Sequence, residues 1–242
     1  MAPAGGAVLE VERIDTDRGR AHVLRGVSLT VGDGEAVCLV GRNGAGKTTT
    51  IESVMGLLPV RAGRVALRGQ DVTRLPAYRR ARLGIGYSPE DAGIFPDLSV
   101  EENFQISTWL ADTGRAKPAA DTYERIYGLF PEVKQFLGRR GLFLSGGQKK
   151  MVAIARALTL SPVVLLLDEP FEGLAPVVVT RFIEAVKSIK AMGISLLIAE
   201  SNLVNAARIA DRLYAIDRGE IIFEGPPRSA LANEEVMKTL RG

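Results

Sequence analysis

An α/β fold built around a largely parallel sheet, with helices on both faces, is predicted by three observations. Short β-branched apolar runs bounded by glycine or charge recur along the chain. Stretches with helical spacing lie between several of these runs, which is the alternation of an α/β sheet. A glycine-rich string at residues 41–48 stands directly between one such run and one such helical stretch.

Taken in order, residues 8–14 (VLEVERI) give the first predicted strand and 36–40 (AVCLV) the second. The second carries Cys38, the one cysteine of the chain, which is read as core; a single thiol excludes a disulfide framework, and a reducing compartment is expected. A helix is predicted over 47–55 and a strand over 85–87. From about 75 to 140 the chain is richer in charged and helix-favouring residues and is broken by Gly114, Pro118, Gly128 and Pro131, so it reads as helical. Trp109, the sole tryptophan, is expected to anchor a core there. Tyr87 and Phe95 are expected to pack the sheet and this sublobe, with the Phe95 region hydrophobic enough to face a docking partner. Helix 148–160, strand 163–167, helix 177–192, strand 195–199 and helix 203–210 follow, the last with Asn202 as its N-cap. Residues 229–240 read as one amphipathic helix packing back on the body.

The 242 residues, 46% hydrophobic and 24% charged, suffice for a full-sized core in one domain or two packed lobes. A formal charge of +3 with a pI near 9.1 permits basic patches but is no nucleic-acid footprint, and no nucleic-acid partner is expected. Residues 1–8 lack the pattern of a signal peptide. No apolar run approaches the roughly 18–20 residues that span a bilayer, so action at a membrane is expected to run through a partner.

The string Gly41, Arg42, Asn43, Gly44, Ala45, Gly46, Lys47, Thr48 spells glycine, four residues, glycine, lysine and a hydroxyl residue, in the strand-to-helix context that a phosphate-binding loop requires. Gly41, Gly44 and Gly46 let the backbone curl so that successive amides face phosphate oxygens near the positive end of the helix dipole. Lys47 supplies charge to the β and γ phosphates of a nucleotide. The Thr48 hydroxyl is placed to ligate Mg2+, and Thr49 adds a phosphate contact. Asp168 and Glu169 end the strand at 163–167, the edge of an α/β sheet where ligands bind. Asp168 is expected to hold the metal, and Glu169 to orient or deprotonate the attacking water. These residues alone fit any P-loop nucleotide hydrolase or kinase.

Leu144, Ser145, Gly146, Gly147 and Gln148 spell LSGGQ; with the following KKMVAIARAL and VVLLLDEP they resemble the signature stretch of ATP-binding-cassette (ABC) ATPases. The resemblance covers about 8–225. It implies a P-loop NTPase with a RecA-like, largely parallel core sheet, an antiparallel β subdomain and a helical signature subdomain. The whole of 1–242 is then one ATP-binding domain, with its core at about 1–88 and 160–242 and the helical sublobe at about 89–159. It also implies that two cassettes dimerise head to tail, the signature of each closing over ATP on the other. Ser145 and the amides of Gly146 and Gly147 would form a second helix start aimed at the γ phosphate, and EGLAP at 172–176 would be a dimer-contacting loop.

The segments GIGYSPE, IFPDLSVEENF, FEGLAP and ADRLYAIDRGEII look like cassettes of branched-chain amino acid and urea importers. That implies an ATPase subunit on the cytoplasmic face of the inner or plasma membrane. Its partners would be a second cassette, identical or different, integral membrane permease subunits and, indirectly, a periplasmic or extracellular substrate-binding protein. A lipopolysaccharide-type exporter ATPase and a soluble non-transport ABC ATPase are the alternative expectations.

Three positions depart from the family pattern. Glu90 stands where most cassettes carry a metal-contacting glutamine, adding negative charge near Asp168 and Glu169. Ser201 stands where most carry a histidine that contacts the γ phosphate, and a serine reaches that phosphate only weakly or through water. Arg18, or alternatively His22, stands where an aromatic residue stacks on adenine, a role a guanidinium plane can fill. Slow hydrolysis at this chain's own site, with a different cassette supplying the stronger site, is expected from Ser201.

Overall fold

The computed structural model describes residues 6–111 and 121–241. Gly114, Pro118 and the Trp109 side chain lie outside the described residues. In chain order the elements are β1 (Ala7–Arg18), β2 (Ala21–Gly32), β3 (Ala36–Val40), α1 (Lys47–Met55), β4 (Val60–Leu67), β5 (Gln70–Asp71), α2 (Ala77–Leu83) and β6 (Ile85–Ser88). Then come α3 (Val100–Ala111), α4 (Thr122–Leu129), short 3-10 turns at Pro131–Phe136 and Gly141–Phe143, α5 (Gly146–Leu158), β7 (Val164–Asp168) and α6 (Pro176–Ala191). The chain closes with β8 (Ser195–Glu200), α7 (Leu203–Ala207), β9 (Arg212–Asp217), β10 (Glu220–Gly225), α8 (Pro227–Ala232) and α9 (Glu234–Arg241).

Two sheets form, one in the order β10-β9-β3-β8-β7-β6 and one in the order β2-β1-β4-β5. In the first, β9, β3, β8, β7 and β6 run parallel and β10 is antiparallel, as the buried apolar runs predict. The second is antiparallel throughout. Alternation along the central strands splits the core in two. Cys38, Val40, Leu165, Leu167, Leu196 and Ile198 face α5, α6 and the helical region. Val37, Leu39, Val164, Leu166, Leu197 and Ala199 face α1 and the antiparallel sheet. Cys38 is fully buried, as expected, and burial pushes its thiol well above the usual range.

The five predicted strands are present, but β2, β4, β5, β9 and β10 escape the sequence pattern and β1 runs on to Arg18. β2, β4, β5 and β10 have no long apolar run: β10 alternates between exposed and half-buried positions, and β4 carries exposed Arg61, Ala62 and Gly63; β9 does carry a short buried run, Leu213 to Ile216, which the sequence reading misses. Pairing of β1 with its neighbours slips at several points, so neither partner keeps a regular period. Gly128, read as a breaker, sits inside α4, and Pro131 opens the 3-10 turn after it. The single terminal helix expected at 229–240 is two helices, because Asn233 takes an extended backbone (φ −85°, ψ 111°) and its side chain accepts the Val236 N–H at 3.1 Å. Asn202 caps α7 as expected, accepting from the Asn205 N–H at 3.1 Å.

α1 is fixed at its C-terminal end by a buried arginine. Arg80 donates to Ser53 O, Val54 O, Thr73 O and Leu75 O at 2.7–2.9 Å, placing a guanidinium at the negative end of the helix dipole.

Candidate nucleotide site

Strand register sets the site. Val40 pairs with Glu200 and Asp168 with Ala199, so the carboxyl ends of β3, β8 and β7 finish level at one sheet edge. The loops leaving those ends carry residues 41–46, 201–202 and 169–175. Gly41 has no room for a side chain, since a Cβ there would lie 2.6 Å from Ile216 O. Gly44 (φ 82°) and Gly46 (φ 116°) hold left-handed backbone that turns the chain into α1. Gly46 is the N-cap and offers no side-chain cap, so the first amides of α1 are left to a ligand. Ala45 is buried under the loop, its carbonyl accepting the Gly219 N–H at 2.8 Å, and the Arg42 carbonyl accepts the Ala45 N–H at 3.1 Å.

Lys47 is 5% exposed and stands at the centre. Its Nζ lies 2.8 Å from Gly41 O, 3.1 Å from Arg42 O, 3.0 Å from Ser201 Oγ and 3.0 Å from Glu169 Oε1, three protons shared among four oxygens. Glu169 is gripped from the other side: the Ser201 N–H donates to Oε2 at 3.0 Å and the Ser201 hydroxyl to Oε1 at 2.5 Å. Asn43 Oδ1 sits 3.0 Å from the same hydroxyl. A cavity of about 450 Å³ opens over this cluster, lined by Arg18, Asn43, Gly44, Gly46, Lys47, Thr48, Thr49, Glu90, Glu169 and Glu172 among others.

The donor set fits a hard divalent cation such as Mg2+. Thr48 Oγ1 lies 3.2 Å from Asp168 Oδ1, while Asp168 Oδ2 is buried without a hydrogen-bond partner among the described residues. Burial, with Glu169 and Glu90 nearby, pushes the Asp168 carboxyl up to about 6. Among the described residues no three or more histidine, cysteine or acidic side chains gather as a protein-only cage. A metal held by Thr48 and Asp168 would therefore complete its shell from phosphate and water. Glu90 is exposed and turned toward Glu172; partial desolvation and the hydrogen bond with that carboxyl hold it above the ordinary range.

Arg18 lines the cavity and pairs with Glu52 of α1. His22 is not among the cavity's lining residues; its Nδ1 is 2.7 Å from Asp17 Oδ1, across the β1–β2 pairing. The LSGGQ residues do not line the cavity either. Ser145 N-caps α5 in a reciprocal capping box: its hydroxyl accepts the Gln148 N–H at 3.3 Å, and its own N–H donates to Gln148 Oε1 at 3.0 Å. Leu144 is buried beneath, whereas Ser145 and Gly146 face outward. Phe95, expected to pack, is instead 46% exposed, with the Arg156 guanidinium 5.8 Å from its ring centroid. Tyr87 does pack, half-buried against the core under the antiparallel sheet.

Two groups escaped the sequence reading. Glu200 is 3% exposed; Oε1 accepts the Asn202 N–H at 2.7 Å, Oε2 has no partner among the described residues, and burial pushes the acid up to about 7. The signal was present: an acid closing an apolar strand, LLIAE, as Asp168 closes VLLLD. The other is Lys150, whose Nζ donates to Glu169 O at 2.5 Å. Its position just past the LSGGQ string gave no hint of that reach.

Residues 24–172 match the family model described as ABC transporter. The chain is 42% identical to a probable ABC transporter ATP-binding protein of Azorhizobium caulinodans, over 93% of this chain and 79% of that one. It is 37% identical to the lipopolysaccharide export system ATP-binding protein LptB of Escherichia coli K12, over 91% of each. Identity is 32% to the high-affinity branched-chain amino acid transport ATP-binding protein BraG of Pseudomonas aeruginosa, over 97% of this chain and all of that one. Among solved structures, the ADP conformation of MJ1267, an ATP-binding cassette of an ABC transporter, superposes with a TM-score of 0.82 at 29% identity, covering 98% of this chain and 99% of that one.

Proposed function

The chain belongs to the ABC transporter family of ATP-hydrolysing cassettes, and on that premise we propose that it works as one half of a cassette pair that drives import of branched-chain or other amino acids, urea or amides. The observation that carries the pairing is the division of the chemistry within one chain. Lys47, Thr48 and Glu169 line one cavity, with Asp168 behind Thr48 at 3.2 Å, while the outward-facing start of α5 at Ser145 and Gly146 stands apart from it. A helix start with unused amides attracts phosphate, so each cavity is completed by the α5 of a neighbour.

In this reading residues 1–242 form one ATP-binding domain, with its core at about 1–88 and 160–242 and a helical sublobe at 89–159. Residues 41–49 bind the phosphates and Arg18 stacks on adenine. Thr48, Asp168 and Glu90 hold Mg2+, which when bound neutralises phosphate charge. Glu169 takes the proton of the attacking water. Leu144, Ser145, Gly146, Gly147 and Gln148 cap the neighbour's γ phosphate. Ser201 holds Glu169 and touches phosphate through water, so turnover by the isolated chain is slow. The permease subunits that dock the pair place it at the cytoplasmic face of the membrane, with a substrate-binding protein outside. Import is favoured by the importer-like segments and by BraG; the higher identity to LptB favours the second reading, export of a lipid-linked substrate.

The pairing is tested by sedimentation of a Glu169→Gln variant. ATP should convert monomer to dimer, and adding Lys47→Ala should abolish the conversion; a monomer at saturating ATP would sink the reading. Direction is tested in cells lacking the gene: loss of labelled amino acid or urea uptake supports import, and normal uptake with a defective outer surface supports export.

A further inference from the structure

Glu169 is restrained on every side. Its backbone is left-handed (φ 44°), a conformation that a residue with a side chain holds only under outside constraint. Its N–H donates to Ala199 O at 3.0 Å, which fixes the peptide to β8. Its carbonyl accepts from the Glu172 N–H at 3.2 Å, a local turn, and from Lys150 Nζ at 2.5 Å, the bond that comes from another element. Lys150 sits in the second turn of α5, the helix that Ser145 opens. The first turn of the same helix packs on the loop after Glu169: a Cβ at Gly147 would meet Leu174 and Val178 at 3.5–3.6 Å. Burial lowers the Lys150 ammonium, while the carboxylates of Glu172, Glu169, Glu90 and Glu200 around it favour its charge.

Resting on the reading of Glu169 as the base and of α5 as the helix that caps a neighbour's nucleotide, we propose that Lys150 is a positioning residue that ties the peptide carrying the catalytic carboxylate to the signature helix. A shift of α5, when a neighbour's triphosphate seats on its start, is then felt at Glu169 of the same chain. The two nucleotide sites of a pair are coupled through one ammonium-to-carbonyl bond in each subunit. Lys150 touches neither phosphate nor water in this scheme; it acts through Glu169.

The test compares the full chain with its Lys150→Met and Lys150→Arg variants by amide hydrogen exchange and by ATP hydrolysis. Methionine keeps the stem and removes the donor. In Lys150→Met, exchange in the segment 171–176 should rise about tenfold. Its kcat should fall about tenfold, the scale of one lost charge-assisted hydrogen bond, with KM for ATP unchanged within about twofold. Lys150→Arg, which keeps a charged donor, should restore most of both. Unchanged exchange in Lys150→Met overturns the proposal whatever the hydrolysis rate, and so does a loss of ATP affinity in step with kcat, which marks general damage. Glu169→Gln is the separate control: if it hydrolyses ATP at the wild-type rate, the assignment of the base fails, whereas the exchange result still stands or falls alone.

Discussion

Replacing Ser201 by alanine removes one hydroxyl from the centre of the site and leaves the backbone in place. The hydroxyl donates to Glu169 Oε1 at 2.5 Å and accepts from Lys47 Nζ at 3.0 Å. What remains is substantial: the residue 201 N–H still donates to Glu169 Oε2, and Lys47 keeps Gly41 O, Arg42 O and the Glu169 carboxylate. The loss is two hydrogen bonds to charged groups, of which the one that bears on the base, to Glu169, is worth about 1.5–3 kcal/mol, at the lower end here because the cavity is open to water. About 1.5 kcal/mol is roughly tenfold in rate if the contact holds the base in the transition state. Steady-state ATP hydrolysis by the purified chain should therefore show kcat down about tenfold with KM for ATP changed by less than about twofold. Ser201→His, with its longer reach toward phosphate, should raise kcat above wild type. A Ser201→Ala variant with unaltered kcat, or with raised KM alone, would refute the claim that this serine positions the base.

Further outcomes follow from the buried groups. Glu200 holds its proton up to about pH 7 in the folded protein, whereas an unfolded glutamate loses it near 4.3. Between those values the folded state binds the extra proton, so its stability falls as pH rises from about 4.5 to 7. Glu200→Gln keeps an acceptor for the Asn202 N–H and should melt several degrees above wild type at pH 8 but level with it at pH 4.5; equal melting points at pH 8 would show that the acid is not strained. Arg80→Met strands the four carbonyls that the guanidinium serves. It should cost about 3–4 kcal/mol, near 10 °C in Tm for a chain of this size, and a loss under about 1 kcal/mol in thermal unfolding would contradict the capping role. Glu90→Gln removes one charge from the Glu90, Glu172 and Glu169 group and should shift the magnesium concentration for half-maximal hydrolysis several-fold; superimposable magnesium titrations would reject a metal-contacting role.

The parts of this fold that were legible are those where burial imposes a pattern on the sequence. β3, β7 and β8 are buried along their whole length, so each carries an apolar run, closed in β7 by Asp168 and in β8 by Glu200. The loop at 41–48 had to carry glycines where the backbone turns left-handed or meets Ile216. The antiparallel strands were hidden because one of their faces meets water and their pairing slips, which dilutes any period. Within the site, residues whose spelling is dictated by phosphate chemistry were visible, while Lys150 and Glu200 were not. The role of Lys150 depends on a loop 19 residues away in sequence, whereas Glu200 closes an apolar strand and only its burial beside Glu169 and Lys47 is set by tertiary packing.

At the centre of the site one ion pair is already satisfied, and this shapes how it responds to substrate. Lys47 and Glu169, whose side chains are 5% and 6% exposed, form an ion pair, and Ser201 bridges both. Breaking such a buried pair with nothing in exchange costs several kcal/mol, so Glu169 is not free to act on stray water. A triphosphate entering the cavity offers Lys47 a stronger partner and so releases the carboxylate. The Glu169 peptide is tethered meanwhile to β8 through Ala199 O and to α5 through Lys150. On the proposed assignment of Glu169 as the base, its side chain would pivot about this tethered peptide, and the base would become available in the same event that seats a triphosphate.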